Sequence, residues 1–480
     1  MDLLAFEHHL ETPVGIGLLA DSPNRGSAGG ARCGDLIDFR VEITDSGLVA
    51  CGFDAEGCGA LTASGSAIST LAGNQTPLEA ALVSISRVCE ELGGVSAAKI
   101  HAVELAVDAF HRALGEAIRT VSLEPVAGRR LVAMSGGVDS AVAAQLSGPE
   151  SSVGVTLELW RDGDTDAAAS CCSHVAVRRA RDMAHEMGIP HLTLDLREEF
   201  RAGVVDPWLE GYRDGSTPNP CVQCNGRVRI APMVDLAERV GAERLVTGHY
   251  ARVVRDDPDL PGQAVLQEGV HGNKDQGYAL CRLPQEVLES LEFPLGDLRK
   301  DEVRRIAAEH HLAAAETPDS QDLCFLAGVG REAFLARHGG LTDRVGEIRK
   351  QSGEVVGQHR GIHNHTVGQR RGLGIGGGQP LYVVNTDSET NVVTVGSREE
   401  ILSTEVSVED VELKLPAVRV TSARLRHHGP VGACDLVLSA EGTGRLIFDQ
   451  PIERVAPGQI ACLMDGELIV GCATVSRSAA

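Results

Sequence analysis

The chain has 480 residues, 43% of them hydrophobic and only 3% aromatic, and a formal net charge of −23. That length allows two to four domains, with cores built mainly from Ala, Val, Leu and Ile. The acidity excludes a protein that coats nucleic acid nonspecifically, but leaves room for a locally basic groove. The opening "MDLLAFEHHLETPVG" lacks a basic n-region and a long apolar run, so no secretion signal is expected. No stretch of roughly 18 apolar residues appears, so no membrane span is expected. These features point to a cytoplasmic protein. Its thirteen cysteines are then expected to be reduced, metal-bound or catalytic rather than structural disulfides.

In chain order, "DLIDFRVEI" and "LVACGFDAEG" alternate like strands, and "TPLEAALVSISRVCEEL" and "AAKIHAVELAVDAFHRALGEAI" read as helices. Strands followed by helices predict a small α+β module, after which "RTVSLEPVAGRR" reads as a linker. From Leu131 to Phe325 the texture alternates. "RLVAM", "SVGVTLELW", "HLTLDL" and "ERLVTGHYARVV" read as strands, and "SAVAAQL", "VAVRRARDMAHEMG" and "IAPMVDLAERVG" as helices. This predicts a parallel sheet covered on both faces. Beyond Phe325, β-branched runs such as "LYVVNTD" and "TNVVTVG" predict a small middle domain. The closing "QIACLMDGELIVGCATV" carries Asp465-Gly466 between two apolar runs, a hairpin signal within a β-barrel or sandwich.

The stretch "SGGVDS", Ser135 to Ser140, sits between a predicted strand and a predicted helix. Its glycines let backbone approach a ligand, and N–H groups converge at the helix start, which favours anions. The two serine hydroxyls add donors and Asp139 can hold Mg²⁺. The Gly-Lys-Ser/Thr ending of a Walker loop is missing. A second glycine pattern, "GLGIGG" from Gly372, matches a dinucleotide fingerprint only in form, because neither a strand precedes it nor a helix follows. In "DGSTPNPCVQCNGRVR" two prolines pin the backbone ahead of Cys221 and Cys224. A C-x-x-C pair serves zinc, redox or iron–sulfur chemistry. Cys324 stands apart in "TPDSQDLCF". Arg349, Lys350, Arg360, Arg370 and Arg371, with His359, His363 and His365, are expected to meet phosphates and stack on splayed bases.

"SGGVDS" resembles the loop of the pyrophosphate-loop ATPases. With "TPNPCVQCN", "TGHYARV", "NKDQGY", "DSQDLCF", "GQHRGIHNHTVGQRRGLGIGG" and "PGQIACLMDGELIVG", residues 129 to 475 resemble the tRNA-specific 2-thiouridylases. That resemblance implies ATP and Mg²⁺ use, adenylation of the C2 oxygen of the wobble uridine, and its replacement by sulfur. It implies catalytic roles for Cys224, usually called the nucleophile, and for Cys324, the persulfide carrier, with a Cys224–Cys324 disulfide in the cycle. It implies ATP contacts at Ala133, Met134, Ser135, Gly136, Gly137, Val138, Asp139, Ser140, Leu157 and Gly248. It also implies tRNA contacts at Asn219, Pro220, Cys221, Lys274, Asp275, Gln276, Arg424 and Leu425. Some members of the family carry Asp where this chain has Cys221. With Cys221, Cys224 and Cys324 together, a [4Fe–4S] cluster that presents sulfide stands beside the persulfide route.

The first module, with "ARCGDLI", "AEGCGAL" and "AAKIHAVELAVDA", resembles the U-type iron–sulfur scaffolds. The resemblance implies that Cys33, Asp35, Cys58 and His101 bind zinc or a labile cluster, or accept sulfur. Ala102 stands where the scaffolds place a third cysteine. Cys171 and Cys172 receive no role. The expected fold class is multidomain. An α+β scaffold-like module (1–120) and a linker (121–128) precede an α/β parallel-sheet pyrophosphate-loop domain (129–326). A central domain (327–396) and a C-terminal β-barrel (397–480) follow. The expected partners are tRNA and a cysteine desulfurase or sulfur carrier protein, with no membrane. Two other readings are a pyrophosphate-loop ligase or amidating synthetase, which needs no cysteine trio, and a non-catalytic cluster or sulfur carrier, which consumes no ATP.

Overall fold

The computed structural model describes residues 3–29, 34–161, 174–255, 257–315, 323–326, 328–376, 379–439 and 442–477. Cys33, Cys171 and Cys172 lie outside them.

The N-terminal module begins with helix α1 (Leu3–Glu11) and an antiparallel sheet in the order β1 (Arg25–Gly29), β2 (Leu36–Ile43), β3 (Val49–Glu56). Helices α2 (Gly59–Ala72), α3 (Pro77–Ala80), α4 (Ile85–Glu91) and α5 (Ile100–Ile118) follow. The stretch read as one helix over 76–92 divides in two. Thr76 and Glu79 form a capping box at α3, and Ser84 starts α4 by accepting from the Arg87 amide. Phe39 packs edge to face on Phe110 and at a tilt on Phe53, in a core otherwise made mainly of Ala, Val, Leu and Ile.

The middle of the chain builds a five-stranded sheet. Its strands are β4 (Arg130–Ala133), β5 (Ser152–Glu158), β6 (His191–Asp195), β7 (Arg244–Thr247) and β10 (Leu291–Glu292), in the order β10-β7-β4-β5-β6, all parallel. Every residue of β5 is buried, as expected for a strand covered on both faces. Helices α6 (Val138–Leu146), α7 (His174–Glu186) and α11 (Ile230–Arg239) pack on the sheet, and α8 (Arg197–Phe200), α9 (Asp206–Arg213) and α10 (Pro220–Gln223) lie between α7 and α11 in the chain. After them come α12 (Gly277–Leu280), α13 (Gln285–Leu288) and α14 (Lys300–Glu309). The run "ERLVTGHYARVV" is not one strand. It breaks at Gly248, and β8 (Ala251–Val254) turns away to pair with β9 (Val265–Glu268). At the break Gly248 lies against the start of α6, where a Cβ would fall 2.8 Å from the Asp139 carbonyl carbon.

Helix α5 covers β6, the edge strand of the parallel sheet. Such an edge exposes unpaired backbone groups unless something caps it. The approach is close: a Cβ on Gly115 would fall 1.9 Å from the Thr193 carbonyl oxygen. Arg112 makes two bonds to Glu158, at 2.8 and 2.6 Å. Asp108 receives Arg178 and Arg181, each at 2.6 Å. The two ring nitrogens of His111 lie 3.1 and 2.8 Å from the carbonyls of His191 and Val83. The stretch read as a linker is also tied down, through Leu123 to Arg239 and Val126 to Gly241.

Helix α15 (Arg331–Gly339) leads to a four-stranded sheet in the order β12-β11-β14-β13. Its strands are β11 (Gly346–Lys350), β12 (Val355–His359), β13 (Tyr382–Asp387) and β14 (Val392–Gly396). The last strands are β15 (Leu402–Leu413), β16 (Ser422–Arg424), β17 (Val431–Leu438), β18 (Gly444–Glu453), β19 (Ile460–Asp465) and β20 (Leu468–Val475). They form a barrel, closed by the pairing of β15 with β20. The expected hairpin joins β19 to β20, with Gly466 at φ +58 in the turn. The β8–β9 pair adds to the barrel through Leu468 and Gln267, so the two units share a sheet.

Candidate active site

Ser135 to Ser140 joins β4 to α6. Gly136 has φ +75, and a side chain there would meet Arg179 Nε at 2.9 Å and the Ala176 carbonyl at 3.0 Å. Gly137 is the N-cap, so the first amides of α6 stay available to an anion. The Ser140 hydroxyl closes the loop, accepting from the Ser135 amide at 3.1 Å and donating to the Gly137 carbonyl at 3.0 Å. Asp139, expected to hold Mg²⁺, is engaged by Lys300 Nζ at 2.7 and 2.8 Å and by the Tyr250 hydroxyl at 2.7 Å. Arg179 Nε is buried, with no hydrogen-bond partner among the described residues. Beside the loop is a small, mainly apolar pocket lined by Ala133, Met134, Ser135, Leu157, Arg229 and Met233.

Cys221 and Cys224 lie on one helical segment. Asn219 caps α10, its side chain accepting from the amides of Cys221 and Val222 at 3.1 and 3.2 Å. Cys221 is exposed and Cys224 buried. From Cys224 the segment continues as a wider helical turn to Arg229, which lines the pocket. The C-x-x-C pair and the pocket are therefore built on one element. Cys324 is half-buried, and Phe325 beside it packs against Trp160, Phe200, Trp208 and Phe334. Trp160 follows β5, so Cys324 is held near the strand end that carries Leu157. His249 is buried; its Nδ1 is 2.7 Å from the Thr247 hydroxyl. Burial, aided by Arg229, pushes its pKa down to about 3.

Asp275 is buried, and its carboxylate accepts from the amides of Gly269 and Gly277. Arg424 reaches Glu268 at 2.7 Å and Asp275 at 3.4 Å, joining barrel to sheet. Gln276 accepts from the Tyr250 amide, and Leu425 is buried in the barrel core. Lys274 is half-exposed. In the middle domain the expected basic face is only partly realised. Arg360, Arg370 and Arg371 are exposed, but Arg349 and Lys350 pair with Glu347 and Glu354. His359 and His363 are buried and His365 is half-buried.

In the N-terminal module, ligand atoms of Asp35, Cys58 and His101 lie within 4.8 Å of one another. The Cys58 amide donates to Asp35 at 2.9 Å, and His101 Nε2 is 3.4 Å from the same carboxylate. Gly57 is required here, since a Cβ would fall 2.2 Å from Asp35 Oδ1. Ala102 is fully buried on α5 and offers no ligand.

Family descriptions match the chain in four places. They are a NifU-like N terminal domain at 5–120, a tRNA methyl transferase HUP domain at 129–328, a tRNA methyl transferase PRC-barrel domain at 332–397 and an aminomethyltransferase beta-barrel domain at 405–475. The "Bifunctional protein NifU/MnmA" of Rubrobacter xylanophilus is 39% identical over 98% of this chain and 97% of its own length. This chain belongs to the bifunctional NifU/MnmA family. The "tRNA-specific 2-thiouridylase MnmA" of Symbiobacterium thermophilum is 37% identical over 74% of this chain and 93% of its own. The protein of the same name from a Synechococcus strain is 40% identical over 73% and 97%.

On this NifU/MnmA frame, Ala133, Met134, Ser135 and Leu157 meet at the pocket, while Gly136 to Ser140 and Gly248 form the loop and its support. Arg179, Arg229, Met233, His249, Tyr250 and Lys300 were not singled out by sequence reasoning. Lys300 lies 161 positions from Asp139, and no local pattern links the two.

Proposed function

We propose that this chain is an ATP-dependent tRNA-uridine sulfurtransferase that replaces the C2 oxygen of the wobble uridine with sulfur. One observation carries the reading: a phosphate-type loop, its pocket and a C-x-x-C segment meet at one end of a parallel sheet, in a chain of the NifU/MnmA family. In this reaction the C2 oxygen attacks the α-phosphorus of ATP and pyrophosphate leaves. The α6 amides, Arg179 and Lys300 face the departing charge. Asp139 would hold magnesium, with Lys300 released toward the phosphates. The outer sulfur of a persulfide on Cys324 attacks C2 and AMP leaves. The Cys224 thiolate then attacks the inner sulfur, which closes the Cys224–Cys324 disulfide and frees the thiouridine. An external thiol supplies the two electrons that reopen the disulfide.

Cys221, exposed beside Cys224, supports a second route, in which Cys221, Cys224 and Cys324 would hold a [4Fe–4S] cluster that would supply the sulfur as sulfide. Asn219, Pro220, Cys221, Lys274 to Gln276, Arg424 and Leu425 are assigned to the RNA side, with Arg360, Arg370 and Arg371 as phosphate contacts. Asp35, Cys58 and His101 would bind zinc or a labile cluster. The sulfur donor is a cysteine desulfurase or a sulfur carrier protein. The units follow the boundaries 1–120, 129–326, 327–396 and 397–480, and a cytoplasmic location accords with the substrate. No helix among the described residues is long and apolar enough to cross a membrane.

The test is anaerobic incubation of the full chain with ATP, magnesium, a tRNA transcript, a thiol reductant and a cysteine desulfurase with cysteine; a second arm with sulfide alone can feed only the cluster route. One oxygen should be exchanged for sulfur at the wobble uridine, and Cys224→Ala should abolish this. Retained activity in Cys224→Ser would favour an amidating ligase instead. Iron and sulfide assays on wild type and Cys221→Ala separate the two routes. Thiolation by an iron-free wild type would leave the persulfide.

A further inference from the structure

The segment that carries Cys221 and Cys224 is braced from behind by one short turn, α12 with the two residues after it. The Ala279 carbonyl accepts from Asn225, the residue after Cys224, at 3.2 Å. Arg282 Nη1 donates to the Gln223 side chain, between the two cysteines, at 3.0 Å. The fit is tight, because a Cβ on Gly226 would lie 2.8 Å from Arg282 Cγ.

The brace is itself fixed to the C-terminal barrel. The Tyr278 hydroxyl donates to the Ile460 carbonyl at 2.8 Å. Arg282 Nη2 donates to the Thr474 hydroxyl at 3.1 Å, and its Nε is 3.5 Å from Glu412. Lys414 donates to the Cys281 carbonyl. Arg282 is 7% exposed, so its fork works in a site where a misdirected charge is costly. A planar guanidinium that holds two partners at fixed angles transmits position as well as charge.

We infer that Arg282 is a positioning residue for the sulfur step: through it the barrel sets the direction of the C-x-x-C thiols, while the nucleotide loop stands on other supports. Those supports are Gly248, Tyr250 and Lys300, none of which touches Arg282 in the contacts above. This inference rests on the proposed thiolation. It adds that the barrel takes part in catalytic geometry and is not solely a surface for RNA.

The experiment uses the full chain with Arg282→Met, Arg282→Lys and Thr474→Val. Three readouts are taken: tRNA-dependent pyrophosphate release, sulfur transfer to tRNA, and the pH profile of iodoacetamide alkylation at Cys221 and Cys224 by peptide mass. For Arg282→Met, sulfur transfer should fall by up to about 100-fold, the scale of a small misplacement of reacting groups. Pyrophosphate release should stay within about twofold and the alkylation profile should shift. Arg282→Lys should recover part of the loss. Thr474→Val, nearly isosteric and outside the sheet domain, should move the same readouts less. Wild-type transfer and alkylation in both Arg282→Met and Thr474→Val would overturn the inference. So would a parallel loss of pyrophosphate release and transfer, which marks general destabilisation. If the wild type releases pyrophosphate but never transfers sulfur, the proposed function fails, and the alkylation profiles still decide whether the brace orients the thiols.

Discussion

Gly248→Ala isolates the contact that seats the nucleotide loop. A Cβ at this position would lie 2.8 Å from the Asp139 carbonyl carbon, 2.9 Å from its oxygen and 2.9 Å from the Ser140 amide nitrogen. All three are backbone atoms at the start of α6, so none can swing aside. Gly248 does not have a positive φ, so the penalty is steric crowding and not backbone strain. Overpacking of this kind typically costs ~1–3 kcal/mol. Expressed as nucleotide affinity, that is about fivefold to more than a hundredfold in Kd. Any part relieved by local unfolding lowers the melting midpoint by about 2–4 °C per kcal/mol for a unit of this size. Calorimetric titration with ATP and a melting curve measure both shares. Gly272→Ala is the control, since no atom lies within 4 Å of a Cβ there and its φ is not positive. Wild-type affinity and midpoint in Gly248→Ala would refute the claim that this glycine sets the loop.

Lys300→Ala should slow tRNA-dependent pyrophosphate release by about tenfold or more, the equivalent of one charged hydrogen bond, and alkylation of Cys221 should be unaffected. Gly115→Leu should loosen the N-terminal module by about 3 kcal/mol, because its Cβ would collide with the Thr193 carbonyl; limited proteolysis between residues 118 and 130 reads this out. Stability should fall as pH drops from 6.5. Burial lowers the pKa of His185 to about 4 and also holds His111 and His191 well below the ordinary histidine value, so the unfolded chain binds more protons in that window. Melting curves from pH 7 to 5 check this, and His185→Gln should flatten the dependence. Equilibrium dialysis should find zinc bound to the full chain, lost in Cys58→Ala and His101→Ala. Retention in both variants would move the site elsewhere.

Local chemistry made much of this protein legible from its sequence. The alternation of buried runs with helical stretches specifies a parallel sheet, because a strand covered on both faces must be apolar throughout, as β5 is. Gly136, Gly137 and Ser140 announce an anion loop, since a tight strand-to-helix turn at a helix N-terminus needs those residue types. Asp465-Gly466 marks the hairpin for the same kind of reason. Contacts between distant residues were set only by the tertiary structure. Lys300 and Tyr250 reach Asp139 across 161 and 111 positions, and Arg282 links Gln223 to Thr474. "ERLVTGHYARVV" looks like one strand because periodicity cannot register the loop packed against Gly248. The burial of His359 and His363 was also set by packing, because composition does not report it. Helix α5 looks like part of a separate module, yet it seals the edge of the parallel sheet: an uncapped strand needs a partner, and which element supplies it depends on the folding of the whole chain.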